Sequence, residues 1–122
     1  MSILITGGCG FIGANLARIY LDKGEKVVIL DSAPEEWLPH DLRGRAHYIQ
    51  GDVTNWVEVV DAVKDNQVRD IFHLAGILSA PSEANPSRSY RINVEGTFHV
   101  MEPARICDVK KVVFSSSRGT YG

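Results

Sequence analysis

The sequence predicts an α/β fold, a parallel sheet doubly wound with helices, and three observations predict it. Short runs rich in Val and Ile alternate with longer amphipathic stretches, four glycines crowd into positions 7 to 13 directly after the first run, and an aspartate closes the second run. Alternation of this kind calls for consecutive parallel strands joined by right-handed crossovers.

Strands are expected at 3–6, 26–31, 46–50, 70–74 and 111–115, apolar almost throughout, as strands covered on both faces are. Helices are expected at 11–23, 55–65 and 86–107. The second has Thr54 as its expected N-cap and Trp56, Val59, Val60 and Val63 on one stripe. In the third, Pro103 lacks a backbone donor and clashes with the carbonyl of His99, so a kink or split is expected there. The stretch 32–45, with two prolines and a glycine, reads as a loop with a short helix.

The chain has 122 residues, 44% hydrophobic and 23% charged, enough for one core and too few for two ordinary domains. A net charge of -2 and an isoelectric point near 6.0 give no electrostatic case for nucleic acid or an anionic membrane. No apolar run approaches a membrane span and the start, MSILITGG, lacks a cationic flank, so a cytoplasmic protein is expected. Cys9 and Cys107 make neither a disulfide framework nor a zinc set, and His40, His47 and His99 lack metal-ligand spacing, so no metal site is assigned.

The glycines of ITGGCGFIG lie between the first strand and the first helix, where such a turn becomes a dinucleotide fingerprint. Gly7, Gly10 and Gly13 follow GxxGxxG, Gly8, Gly10 and Gly13 follow GxGxxG, and spacing does not choose between them. The first glycine allows the tight turn, Gly10 lets a pyrophosphate approach, and Gly13 lets the helix pack on the strand. Phe11 and Ile12 would supply amides to that anion, with their side chains packing. Asp31, 18 residues after Gly13, stands where a carboxylate accepts from both hydroxyls of the adenosine ribose. It would repel a 2'-phosphate, and Ser32, Ala33 and Pro34 offer no cation to receive one, which favours NAD over NADP.

With ITGGCGFIG, VVILD, GDVTN, IFHLAG, NVEGTFHVMEPAR and VKKVVFSSSRGTYG in order, the chain resembles the extended short-chain dehydrogenase/reductases, in particular their NAD-dependent epimerase/dehydratase branch. The resemblance implies a Rossmann-type doubly wound sheet, here incomplete with about five strands. It implies that Asp52 and Val53 contact the adenine, that Leu74, Ala75 and Gly76 line the adenosine and ribose by backbone, and that Ser117 orients the reacting oxygen. Asp52 can also cap the turn near Thr54, and His73 reads as a filled strand-end position. Ile92 stands where sugar epimerases of this family often carry a polar residue near the cofactor.

The family's acid/base is a tyrosine with a lysine four positions on. Tyr20, Tyr48 and Tyr90 are followed at that spacing by Gly24, Asp52 and Val94, so none qualifies. Residues 1–122 are therefore expected to be the N-terminal NAD-binding part, cut before the catalytic pair and the substrate lobe, with little or no turnover alone. SSSRGTYG leans towards a nucleotide-sugar substrate, whereas LSAPSEANP resembles threonine 3-dehydrogenases of the same family. The alternative is a non-catalytic NAD-binding or self-associating module. A strand left as an edge at 111–115 favours a homo-oligomer in either case.

Overall fold

The computed structural model describes residues 1–76 and 83–115. Ser117 therefore lies outside the described residues. Five strands, β1 (Ser2–Thr6), β2 (Lys26–Asp31), β3 (His47–Gln50), β4 (Val68–His73) and β5 (Lys111–Phe114), form one parallel sheet in the order β3-β2-β1-β4-β5. This is the first five-strand part of the doubly wound dinucleotide-binding order. Thr6 pairs with Leu30 and with His73, Asp31 with Gln50, and His73 with Phe114, so all carboxyl ends share one edge of the sheet.

Side chains alternate across the strands and build two cores. Ile3, Ile5, Val27 and Ile29 face helix α1 (Phe11–Asp22), whose buried residues are Gly13, Ala14 and Ala17, with Leu16, Tyr20 and Leu21 packed at the margins. Small residues let that helix press close to the sheet. Leu4, Val28, Leu30 and Ile71 face the other way, onto Val59 and Val63 of α2 (Trp56–Asp65) and Val100 and Ala104 of α4 (Gly96–Ile106). Among the described residues no helix is long and apolar enough to cross a membrane.

Between β2 and β3 the chain makes two single 3-10 turns, Glu35–Trp37 and His40–Leu42, instead of a crossover helix. Leu38 and Leu42 from this stretch are fully buried and complete the α1-side core. Arg18 on α1 holds the stretch from outside through a bidentate pair with Asp41, at 2.6 and 3.0 Å.

Three local expectations are corrected. The N-cap of α2 is Asn55, not Thr54: Asn55 Oδ1 accepts from the Glu58 amide at 3.2 Å, while the Thr54 hydroxyl is drawn to Asp52 Oδ1 at 2.8 Å. Trp56 sits at the rim of the α2 stripe rather than inside it, its ring stacked on Phe98 of α4 at 6.4 Å. The expected third helix is continuous from Pro86 to Ile106, as α3 (Pro86–Tyr90), a π turn (Arg91–Glu95) and α4, and its irregularity falls at the π turn rather than at Pro103. Helix α4 runs through Pro103, which is buried against the sheet, so packing holds the geometry that a missing hydrogen bond would loosen.

Candidate cofactor cleft

The carboxyl edge of the sheet opens into a cleft of about 330 Å³. Of the eleven expected cofactor residues, Gly7, Gly10, Asp31, Asp52, Val53, Leu74, Ala75 and Gly76 line it together. Phe11, Ile12 and Gly13 do not. Gly13 lies beneath the turn, and Phe11 and Ile12 open the first turn of α1 with side chains 85% and 64% exposed, against the expectation that they pack. The sheet-facing side of α1 is taken by Gly13, Ala14 and Ala17 with Leu16, Tyr20 and Leu21 packed beside them, which leaves Phe11 and Ile12 outside.

The structure separates the two glycine patterns. Gly7 has φ +75°, a left-handed conformation that suits glycine, and its amide donates to the Leu30 carbonyl at 2.9 Å. Its absent Cβ would stand 3.0 Å from the Ala75 nitrogen. Gly8 faces away from the cleft, where a Cβ would strike Ile29 at 2.4 Å, so GxxGxxG is the pattern that meets the cleft. At Gly13 a Cβ would lie 2.6 Å from the Gly7 carbonyl, which makes this glycine a packing requirement. Gly10 differs from all of these. Its Cβ would meet nothing nearer than 3.4 Å, so the fold does not demand a glycine there, and the space it leaves belongs to the cleft.

Helix α1 starts at Gly10 without a side-chain cap and without an acid in its first turn. Its leading amides thus have no side-chain acceptor, and they sit at the positive end of the helix dipole. Asp31 approaches from the end of β2. Its Oδ2 accepts from the Cys9 amide at 2.9 Å and its Oδ1 from the Ala33 amide at 2.9 Å, which ties the glycine turn to the following loop. A carboxylate accepts about four hydrogen bonds, so about two positions remain for a ligand. Cys9 contributes that amide, and burial pushes its thiol pKa up, so it is not an activated thiolate. Tyr48, whose hydroxyl donates to the Ala33 carbonyl, is likewise pushed up by burial.

The opposite wall is built by the β3 to α2 turn and by the end of β4. Asp52 Oδ1 accepts from the Thr54 amide at 2.9 Å as well as from its hydroxyl, and the Asp52 amide donates to Glu58 Oε2 at 2.7 Å. Val53 is pinned under α4, where a Cβ at Gly96 would come within 2.6 Å of it, and its carbonyl accepts from His99 Nδ1 at 2.7 Å. Leu74 and Ala75 donate their amides to Thr6 Oγ1, so they offer the cleft surface rather than donors. The cleft also includes Leu30, Ser32, Gly51 and Arg88, which sequence reasoning missed, and Ile92, which the resemblance had placed near the cofactor. Arg88 is the one cation among the described lining residues, and a single arginine in a short polar helix carries no pattern that would have found it. Among the described residues no group of three His, Cys, Asp or Glu side chains could hold a metal ion.

A parallel sheet in this order, a glycine turn under a helix start and an acid at the tip of the second strand define a dinucleotide-binding α/β protein. Comparison with known proteins makes the assignment specific. The model of the NAD dependent epimerase/dehydratase family matches residues 3–122, and the chain belongs to that family. It is 35% identical over 129 residues to a UDP-glucose 4-epimerase of Klebsiella pneumoniae, covering all of this chain and 93% of the relative. It is 32% identical to the CDP-paratose 2-epimerase of Salmonella typhi, covering all of this chain and 38% of that one. The solved structure of MoeE5 in complex with UDP-glucose and NAD superposes with a TM-score of 0.84 at 33% identity, again over all of this chain and 38% of the other. The chain thus spans well under half the length of most of these relatives.

Proposed function

We propose that the chain is the NAD-binding portion of an epimerase or dehydratase that acts on nucleotide sugars. The observation that carries this is the convergence, at one cleft, of an uncapped helix start, an open glycine and a carboxylate with acceptor positions to spare. The amides of Phe11, Ile12 and Gly13 would hold the pyrophosphate, with Gly7 and Gly10 giving it room. Asp31 would accept from the ribose hydroxyls. Asp52 and Val53 would border the adenine, with Ile92 beside them, and Leu74, Ala75 and Gly76 the adenosine ribose.

When bound, NAD supplies a two-electron acceptor that takes hydride from a substrate C–H and can return it. Ser117 would orient the reacting oxygen by a hydrogen bond. Proton transfer needs a tyrosine with a lysine four residues on, which these 122 residues lack, so the chain by itself should bind cofactor with little turnover. The nucleotide-sugar class rests on the names of the relatives, among them UDP-glucose and CDP-paratose epimerases. Calorimetric titration tests the reading: NAD should bind at least about tenfold more tightly than NADP. Equal affinity for both, or for neither, overturns it, and robust conversion of UDP-glucose by this chain alone overturns the expected lack of turnover.

Self-association is the second reading. Tyr90, Val94, Phe98 and Met101 repeat along the outer face of α3 to α4 at 49 to 58% exposure, and Phe114 on the edge strand is 55% exposed. Light scattering over a concentration series should show a dimer or larger species; a clean monomer refutes this reading.

A further inference from the structure

His73 closes β4 at the base of the cleft and is 2% exposed. Its ring stacks on Phe114 at 6.0 Å, and each ring nitrogen meets a hydroxyl. Donor accounting fixes the direction of every bond in this group. Thr6 Oγ1 accepts from the amides of Leu74 at 3.0 Å and Ala75 at 3.1 Å, the Leu74 amide being shared with the Thr6 carbonyl at 3.1 Å. Its one hydrogen is then available to His73 Nδ1, 2.7 Å away. On the far side the Thr97 hydroxyl donates to the Asn93 carbonyl at 2.6 Å, so it can only accept from His73 Nε2 at 3.2 Å. The Thr97 end demands a neutral tautomer protonated at Nε2 and bare at Nδ1, and the Thr6 hydroxyl is placed to donate to the bare nitrogen.

The chain of bonds runs from the ends of β1 and β4 to the π turn and the start of α4. At one end it holds Leu74 and Ala75, which form one wall of the cleft; at the other it holds the turn that carries Ile92, which forms another. We propose that His73, as its Nε2–H tautomer, is a positioning residue that sets the separation of the two walls of the cofactor cleft through Thr6 and Thr97. The proposal rests on the NAD reading above. It also explains why a polar side chain fills a strand-end site that an apolar residue would fill as well by volume.

Two measurements on the same protein test it. Long-range proton–nitrogen correlation spectra of the wild type should show His73 bare at Nδ1 and protonated at Nε2; the opposite tautomer, or an imidazolium at neutral pH, overturns the proposal. Calorimetry should find NAD affinity lowered about tenfold or more in His73→Leu, which takes the acceptor from the buried Thr6 hydroxyl and unties the two walls. His73→Asn keeps an acceptor for Thr6 and His73→Gln a donor for Thr97, so each should recover part of that loss. Recovery by neither reduces His73 to packing and overturns the positioning role. Should His73→Leu fail to fold, Thr97→Val supplies the same readout, and unchanged NAD affinity in that variant overturns the proposal. A wild type without NAD affinity overturns the cofactor reading itself, an outcome distinct from wild-type-like affinity in the variants.

Discussion

Helices α1 and α2 both begin just beyond the carboxyl end of a parallel strand, yet their first turns are completed in opposite ways. At α2, Asn55 accepts from the Glu58 amide, Glu58 Oε1 accepts from the Asn55 side chain at 3.2 Å, and Glu58 Oε2 takes the Asp52 amide. Every device there serves the helix itself. At α1 the cap position holds Gly10, the first turn has no acid, and a neighbouring carboxylate takes the Cys9 amide in the turn before the helix instead. A domain that caps one helix this thoroughly has the means to cap the other. Leaving α1 open forgoes about 1 kcal/mol of capping and keeps its amides for an anion. The difference teaches that a missing cap, beside a present one, is a better marker of a ligand end than the glycines alone.

The largest expected effect concerns the hub beneath the α1 turn, which has no counterpart under α2. Burial pushes the His73 pKa from 6.5 down to about 4. Between those values the unfolded chain binds a proton that the folded one refuses, so stability is fully present above about pH 6.5 and declines as pH falls towards 4. Urea unfolding should record a loss on the order of 3 kcal/mol across that window. In His73→Gln this pH-dependent part should vanish; an unchanged pH profile would show that the imidazole is not held neutral.

Next comes the acid that serves the open end. Asp31→Ala removes acceptors worth about 1.5 to 3 kcal/mol per hydrogen bond, so NAD affinity should fall roughly 100-fold by calorimetry while discrimination against NADP weakens. Retained selectivity would place the cofactor choice elsewhere.

Exchanging the two helix starts breaks the comparison more directly. Gly10→Ser gives α1 a cap and fills the open space, so NAD affinity should drop about tenfold while the unfolding free energy rises by a few tenths of a kcal/mol. Lower affinity with lower stability would instead point to a misfolded turn. The smallest effect is the converse change: Asn55→Ala should cost about 1 kcal/mol in urea unfolding and leave NAD affinity unaltered. A clear loss of binding in that variant would mean the α2 start also serves the cleft.

Much of this was legible because the signals were local. The glycine turn, Asp31 and the strands depend on patterns within a few residues: the strand expected at 26–31 is Lys26–Asp31 and the one expected at 46–50 is His47–Gln50. Distance along the chain marks what was not. Thr54 and Asn55 are both cap-forming types, Asn the better of the two, and Asp52 further removes Thr54 by capturing its hydroxyl. The irregularity in the third helix is a π turn at Arg91–Glu95, where Val53 presses on the start of α4 and Thr97 bonds back to Asn93. Phe11 and Ile12 are expected to pack but lie outside, since the face of α1 that meets the sheet is built from Gly13, Ala14 and Ala17 with Leu16, Tyr20 and Leu21 beside them.

The sequence by itself determined the order of strands and helices, the flexible turn after β1 and the acid at the tip of β2, because periodicity, glycine and charge act over single elements. Tertiary structure decided which glycines face the cleft. Gly8 is claimed by Ile29, and Gly13 by the carbonyl of Gly7, while Gly10 alone is left free of the fold. It also decided the state of His73, whose tautomer depends on hydroxyls 67 residues before it and 24 after it in the chain. Hydrogen bonds are satisfied in three dimensions, and only the packed sheet brings Thr6, His73 and Thr97 within reach of one another.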